Sequence, residues 1–168
     1  MGRGATVTNA LIPMEDEPID LNRYMNQEPP KKKRVLILCT GNSCRSQMAE
    51  GILRQYGGDR FEVASAGTQP SFVNTTAIQV MQEIGIDISH HRSKHLDELR
   101  GQYFDLVITV CDHARDVCPV FPGGVAQLHC GFPDPPHEEE VTDKVIAEFR
   151  RVRDMIHKKF KRFAESKK

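Results

Sequence analysis

Residues 35–50 read VLILCTGNSCRSQMAE: an apolar, strand-like run ends in Cys39, five residues lead to Arg45, and a helical pattern follows. Met48, Ala49, Ile52, Leu53 and Tyr56 recur at helical spacing, and Gly41 and Asn42 are residue types that tolerate positive φ in a tight loop. Strand, short loop and helix in this order form a cradle for a tetrahedral anion. The backbone N–H groups of Thr40, Gly41, Asn42, Ser43, Cys44, Arg45 and Ser46 can surround it, and the helix N-terminus adds partial positive charge. A thiol at the strand end, beside an arginine and a helix N-terminus, is in a setting that favours the thiolate. Arg45 offers a planar fork for two anion oxygens. The plainer alternative makes Cys39 a buried structural cysteine, which the loop and helix context disfavours. Cys44 suits packing or a secondary redox role better than nucleophilic attack.

A second strand-like run, 105–110 (DLVITV), ends in Cys111, and six residues separate it from Cys118. In a parallel α/β sheet both strand ends lie at one edge, so Cys39 and Cys111 are expected to emerge close together. A zinc site of Cys111, His113, Cys118, His129 and Cys130 is the alternative, but no compact pair such as C-x2-C supports it. Five cysteines without a secretory signal fit a reducing compartment and catalytic thiols, so a cytoplasmic protein is expected.

The chain of 168 residues can bury one core, and its 23 basic and 23 acidic residues cancel. No strong field therefore points to nucleic acid or membrane, and no apolar run is long enough to span a bilayer. Residues 1–33, with four prolines, an acidic cluster and a basic run at the end, read as a disordered extension before a single domain, 34–168.

Strands are expected at 61–66, 105–110 and 125–129, and helices from the Asn74 cap to Gly85, at 94–99 and at 142–164. The last helix carries Val145, Phe149, Val152, Ile156, Phe160 and Phe163 on one stripe. Alternating units of this kind imply an α/β fold with a parallel four-stranded sheet and helices on both faces. In the segment 111–124, Asp112, His113, Arg115 and Asp116 are polar and Gly123-Gly124 can act as a hinge, a composition that suits a moving segment and a plain solvated loop alike.

Four stretches together resemble thioredoxin-coupled arsenate reductases: CTGNSCRSQMAEG (39–51), SAGT (65–68), the pair Cys111 and Cys118, and GFPDP (131–135). Those enzymes share the fold of low-molecular-weight protein tyrosine phosphatases. Gln47 is similar to the reductases, where the phosphatases usually carry proline. The resemblance implies strand order 2-1-3-4, arsenate as substrate with phosphate or sulfate as analogues, thioredoxin as reductant, and no cofactor. It also implies Cys39 as nucleophile, a relay through Cys111 and Cys118, and Asp134 as the acid that protonates departing hydroxide. A carboxyl shielded by Phe132 and prolines is expected there. Some relatives bind potassium beside the loop. Asn42, Glu50 and Ser65 match that pattern, but Arg92 and Lys94 replace the expected Thr and Asp, so no metal site is expected and Lys94 is expected to pair with Glu50. The alternative activity is tyrosine phosphatase, although Pro135, Pro136 and His137 supply no aromatic wall for a phenyl ring.

Overall fold

The computed structural model describes residues 31–119 and 126–166. The extension read at 1–33 lies outside these but for its last three residues, as does the Gly123-Gly124 hinge.

The most apolar run makes the central strand. β1 (Lys33–Cys39) pairs in parallel with β2 (Phe61–Gly67) on one side and β3 (Leu106–Thr109) on the other, and β4 (Ala126–His129) closes the order β2-β1-β3-β4. Val35, Leu36, Ile37 and Leu38 are all 0 % exposed. Successive strand residues point to opposite faces, so both faces of the sheet centre are covered, and a continuous apolar run rather than an alternating one is what such a strand requires. β4 is the edge: all four of its residues are exposed. The expected α/β fold and strand order are met. β3 is shorter than expected, but Asp105 N donates to Arg34 O at 2.8 Å and Val110 N to Leu38 O at 2.9 Å, so the ladder reaches one residue past each end.

Helix α1 (Arg45–Gly57) leaves the loop after β1, α2 (Thr75–Glu83) follows β2, α3 (Asp112–Val117) follows β3, and α4 (Asp143–Glu165) ends the domain. The Asn74 side chain caps α2 by accepting from Thr76 N and Ala77 N, and Gly85, with φ +78°, ends it as the sequence predicts. The segment expected as a helix at 94–99 is a 3-10 turn, Leu96–Leu99. α1 packs closely on its surroundings: a Cβ on Gly51 would lie 2.7 Å from Ile88 and 3.2 Å from Ile86, in the segment after α2, and one on Gly57 would lie 3.3 Å from Ala164 of α4. From α4, Arg150 and Arg153 both reach Glu83 at the end of α2. The α4 stripe is buried as expected from Val145 to Phe160, with Phe163 partly buried and stacked on Phe61.

Within the segment expected to move, residues 112–117 form a helix. Cys111 holds its N-cap position, with Sγ accepting from Ala114 N at 3.4 Å. Only Ala114 is buried in it, so no apolar periodicity announced it.

Candidate active site

Because the strands are parallel, β1 and β3 deliver Cys39 and Cys111 to one edge of the sheet. Cys39 is the last residue of β1 and 3 % exposed. Its Sγ accepts from Asn42 N at 3.2 Å and lies 2.8 Å from Ser46 Oγ. The loop from Thr40 to Cys44 curls around this sulfur, and α1 starts without a side-chain cap on its first-turn amides. Those amides and the helix dipole are available to an anion. A pocket of about 190 Å³ opens here, lined by Cys39, Gly41, Ser43, Cys44 and Arg45 together with Asp134.

Buried hydrogen bonds hold the loop's shape. Asn42, at φ +46°, is 0 % exposed. Its Nδ2 donates to Ser46 Oγ at 2.8 Å and Ser65 Oγ at 2.9 Å, and its Oδ1 accepts from Lys94 N at 3.0 Å. Gln47 Nε2 donates to the Asn42 carbonyl at 3.0 Å, and Ser93 Oγ to that of Gly41 at 3.0 Å. β2 approaches so closely that a Cβ on Gly67 would lie 2.5 Å from Thr40 O.

Behind the loop, Glu50 accepts from Ser65 Oγ at 3.2 Å and meets Arg54 at 3.0 Å and His91 Nδ1 at 3.1 Å. Burial works against its ionisation, but the hydrogen bond from His91 and the charges of Arg54, His91 and Lys94 outweigh it and hold the carboxyl below the usual range. Its direct partners are thus Arg54, His91 and Ser65, while Lys94, expected to pair with it, acts as a neighbouring charge. Burial pulls the Lys94 ammonium down and Glu50 opposes this. Arg92 is taken by Glu98 at 2.8 Å. Among the described residues no three His, Cys, Asp or Glu side chains converge as a metal site.

Arg45 Nη1 donates to Phe132 O at 3.2 Å, and Nη2 stands 3.5 Å from Asp134 Oδ1. This brings the 131–135 loop over the pocket. The shielding expected of Asp134 is not found: its side chain is 52 % exposed, and His137 Nε2 lies 3.0 Å from Oδ1. Phe132 turns into the core instead, against Phe160.

Cys111 is buried, with Sγ 3.4 Å from the hydroxyl of Thr40, the residue next to Cys39. It faces a second cavity, of about 580 Å³, which shares Thr40, Arg45 and Asp134 with the first. Cys118 lies at the other end of α3, half-buried, with Sγ 3.7 Å from Pro119 O. All five thiols are free. Burial pushes the Cys44 thiol up to about 12, despite a hydrogen bond from Ser43, so Cys44 is a poor nucleophile. Burial also raises Cys118 and Cys130.

The structure thus gathers Cys39, the loop, Arg45, Asp134 and Cys111, and leaves Cys118 a helix away. His91 and His137 were not picked out as site residues in the sequence; a histidine carries no positional signal until the fold supplies its partner.

Comparison with known proteins agrees with this geometry. The family model described as low molecular weight phosphotyrosine protein phosphatase matches residues 34–168. An arsenate reductase of Halalkalibacterium halodurans is 50 % identical over 137 residues, 82 % of this chain and 99 % of its own. Among solved structures, an arsenate reductase in the phosphate binding state is 31 % identical with a TM-score of 0.63, covering 79 % of this chain and 96 % of its own. A low molecular weight protein tyrosine phosphatase from T. tengcongensis is 28 % identical with a TM-score of 0.64, covering 80 % of this chain and 99 % of its own.

Proposed function

The chain belongs to the low molecular weight phosphotyrosine protein phosphatase family, within its arsenate reductases, and on that premise we propose the route by which it reduces arsenate to arsenite. Arsenate sits in the Cys39 pocket, held by the loop amides and Arg45. The Cys39 thiolate attacks arsenic and displaces hydroxide, which Asp134 protonates as it leaves, so that a Cys39 to arsenic bond replaces an oxygen to arsenic bond. Cys111 thiolate then attacks the Cys39 sulfur. The sulfur to arsenic bond breaks with its electron pair going to arsenic, which falls from the +5 to the +3 state and leaves as arsenite. Two thiols have lost two electrons and a Cys39 to Cys111 disulfide remains. Cys118 attacks Cys111 next, freeing Cys39 and leaving a Cys111 to Cys118 disulfide for an external dithiol, for which thioredoxin is the proposed donor.

The observation that carries this reading over hydrolysis is the Cys111 thiol against Thr40, facing the cavity that joins the anion pocket. A phosphatase needs no second thiol there. The last exchange requires motion. Cys111 and Cys118 cap opposite ends of α3, and seven steps of helical rise set their Cα atoms about 10 Å apart, beyond the ~7 Å a disulfide allows. α3 must therefore unwind before Cys118 can reach Cys111. Hydrolysis of aryl phosphates, which needs only Cys39, Arg45 and Asp134, is the second reading and is favoured as a weak side activity by the shared pocket.

The test compares arsenate reduction coupled to thioredoxin with aryl phosphate turnover on the same preparation. Thioredoxin-dependent arsenite production well above hydrolysis is expected. Hydrolysis without arsenite production would make the protein a phosphatase.

A further inference from the structure

A line of hydrogen bonds beside the relay thiols takes no part in the chemistry above. Thr109 Oγ1, at the end of β3, lies 2.8 Å from His129 Nδ1 on β4, and His129 Nε2 lies 3.1 Å from Asp112 Oδ1 in the first turn of α3. An ionised carboxylate only accepts, so Nε2 carries the proton it donates to Asp112. Gly131 leaves room for this contact: a Cβ there would lie 3.1 Å from His129 Nε2 and 3.5 Å from Asp112 Oδ1. Thr109 stands two residues before Cys111 and Asp112 one residue after it. One imidazole on the neighbouring strand therefore grips both flanks of Cys111.

We propose that His129 is a positioning residue for Cys111, fixing the attacking thiol beside Thr40 and serving as the pivot about which the rest of α3 unwinds. The inference rests on the relay described above. Asp112 has a second basic neighbour, Arg115 at 3.8 Å, but that contact is between residues three apart on one helix and disappears when the helix opens. His129 sits on a strand and keeps its hold. The Asp112 side chain is 77 % exposed and that of His129 27 %, and a polar contact so placed adds little to stability. Its effect is geometric. Displacing an attacking atom by about 1 Å can slow a reaction by up to about a hundred-fold.

The experiment follows closure of the Cys39 to Cys111 disulfide in a Cys118→Ser background, driven separately by arsenate and by hydrogen peroxide. Peroxide oxidises Cys39 to a sulfenic acid, whose hydroxide Cys111 displaces. In the peroxide arm His129→Ala and Asp112→Ala are each expected to close about ten-fold more slowly than the parent. The double variant is expected to be no slower than either single one. His129→Gln, whose amide can still donate to Asp112, should recover most of the rate. Alkylation of Cys39 by iodoacetamide, and its protection by phosphate, should be unchanged in every variant. Parental closure in His129→Ala, additive losses in the double variant, or an equal loss of Cys39 alkylation overturns the proposal. A parent that closes with peroxide but not with arsenate refutes the arsenate route, while the peroxide arm still decides the role of His129.

Discussion

At the scale of single residues, two neighbouring cysteines have opposite fates because of what touches them. Cys39 Sγ accepts from a backbone N–H and lies 2.8 Å from the Ser46 hydroxyl at the mouth of an anion pocket, whereas burial pushes Cys44 up to about 12. Iodoacetamide at pH 8 should therefore label Cys39 quickly and Cys44 slowly, with phosphate protecting Cys39, as peptide mass mapping would show. Cys39→Ser should lose arsenate reduction and any phosphatase activity, while Cys44→Ser keeps turning over. Glu50 carries a pH signature. Its folded pKa lies below its unfolded value, so its contribution is fully present above about pH 4.3, the ordinary value, and is lost as pH falls through the lower folded one. Urea unfolding should find Glu50→Gln about 3–5 kcal/mol less stable at pH 7, as expected when a buried ion pair loses one partner. The gap should narrow below pH 4; a gap independent of pH contradicts the assignment. Gly67→Ala must push Thr40 O aside, and weaker phosphate protection of Cys39 is its expected result.

At the scale of elements, α3 is the part that the proposed relay requires to open. It has six residues, a thiol as its N-cap, and only Ala114 buried within it. In the proposed relay a Cys39 to Cys111 bond would take up the sulfur that caps the helix and so remove one of its few supports. Hydrogen exchange on the reduced and Cys111 to Cys118 oxidised forms should show protection falling at 112–117 and holding level in α4. Equal protection in both forms removes the unwinding step. Legibility in the sequence follows the same division. β1, α1, the Asn74 cap and the α4 stripe are long or chemically marked, so apolar periodicity and capping residues placed them. α3 is not legible in the sequence because a six-residue helix with one buried side chain has no period to detect. Shielding of Asp134 was misjudged because the direction in which Phe132 turns is decided by Phe160, far away in sequence.

At the scale of the whole molecule, the sheet edge presents the pocket, and Cys111 and Cys118 stand at the two ends of the short helix α3. The core around β1 holds Cys39, and Cys111 stands two residues beyond β3, whose register with β1 ends at Thr109 opposite Leu38. Site residues were legible wherever a motif follows a strand, as at Cys39, Arg45 and Cys111. Residues that support them from other elements, His91 behind the loop and His129 beside α3, became visible only through tertiary contacts. Among the described residues no helix is long and apolar enough to cross a membrane.

The measurement closest to the central claim is a single turnover without external reductant, with arsenite quantified and disulfides mapped by peptide mass. Wild-type protein given excess arsenate should release about one arsenite per chain and end with Cys111 bonded to Cys118, because each arsenite requires one two-electron disulfide. Cys118→Ser should release the same amount and stop with Cys39 bonded to Cys111, and Cys111→Ser should release none. Arsenite from Cys111→Ser, or a wild-type end product lacking the Cys111 to Cys118 bond, would contradict the relay.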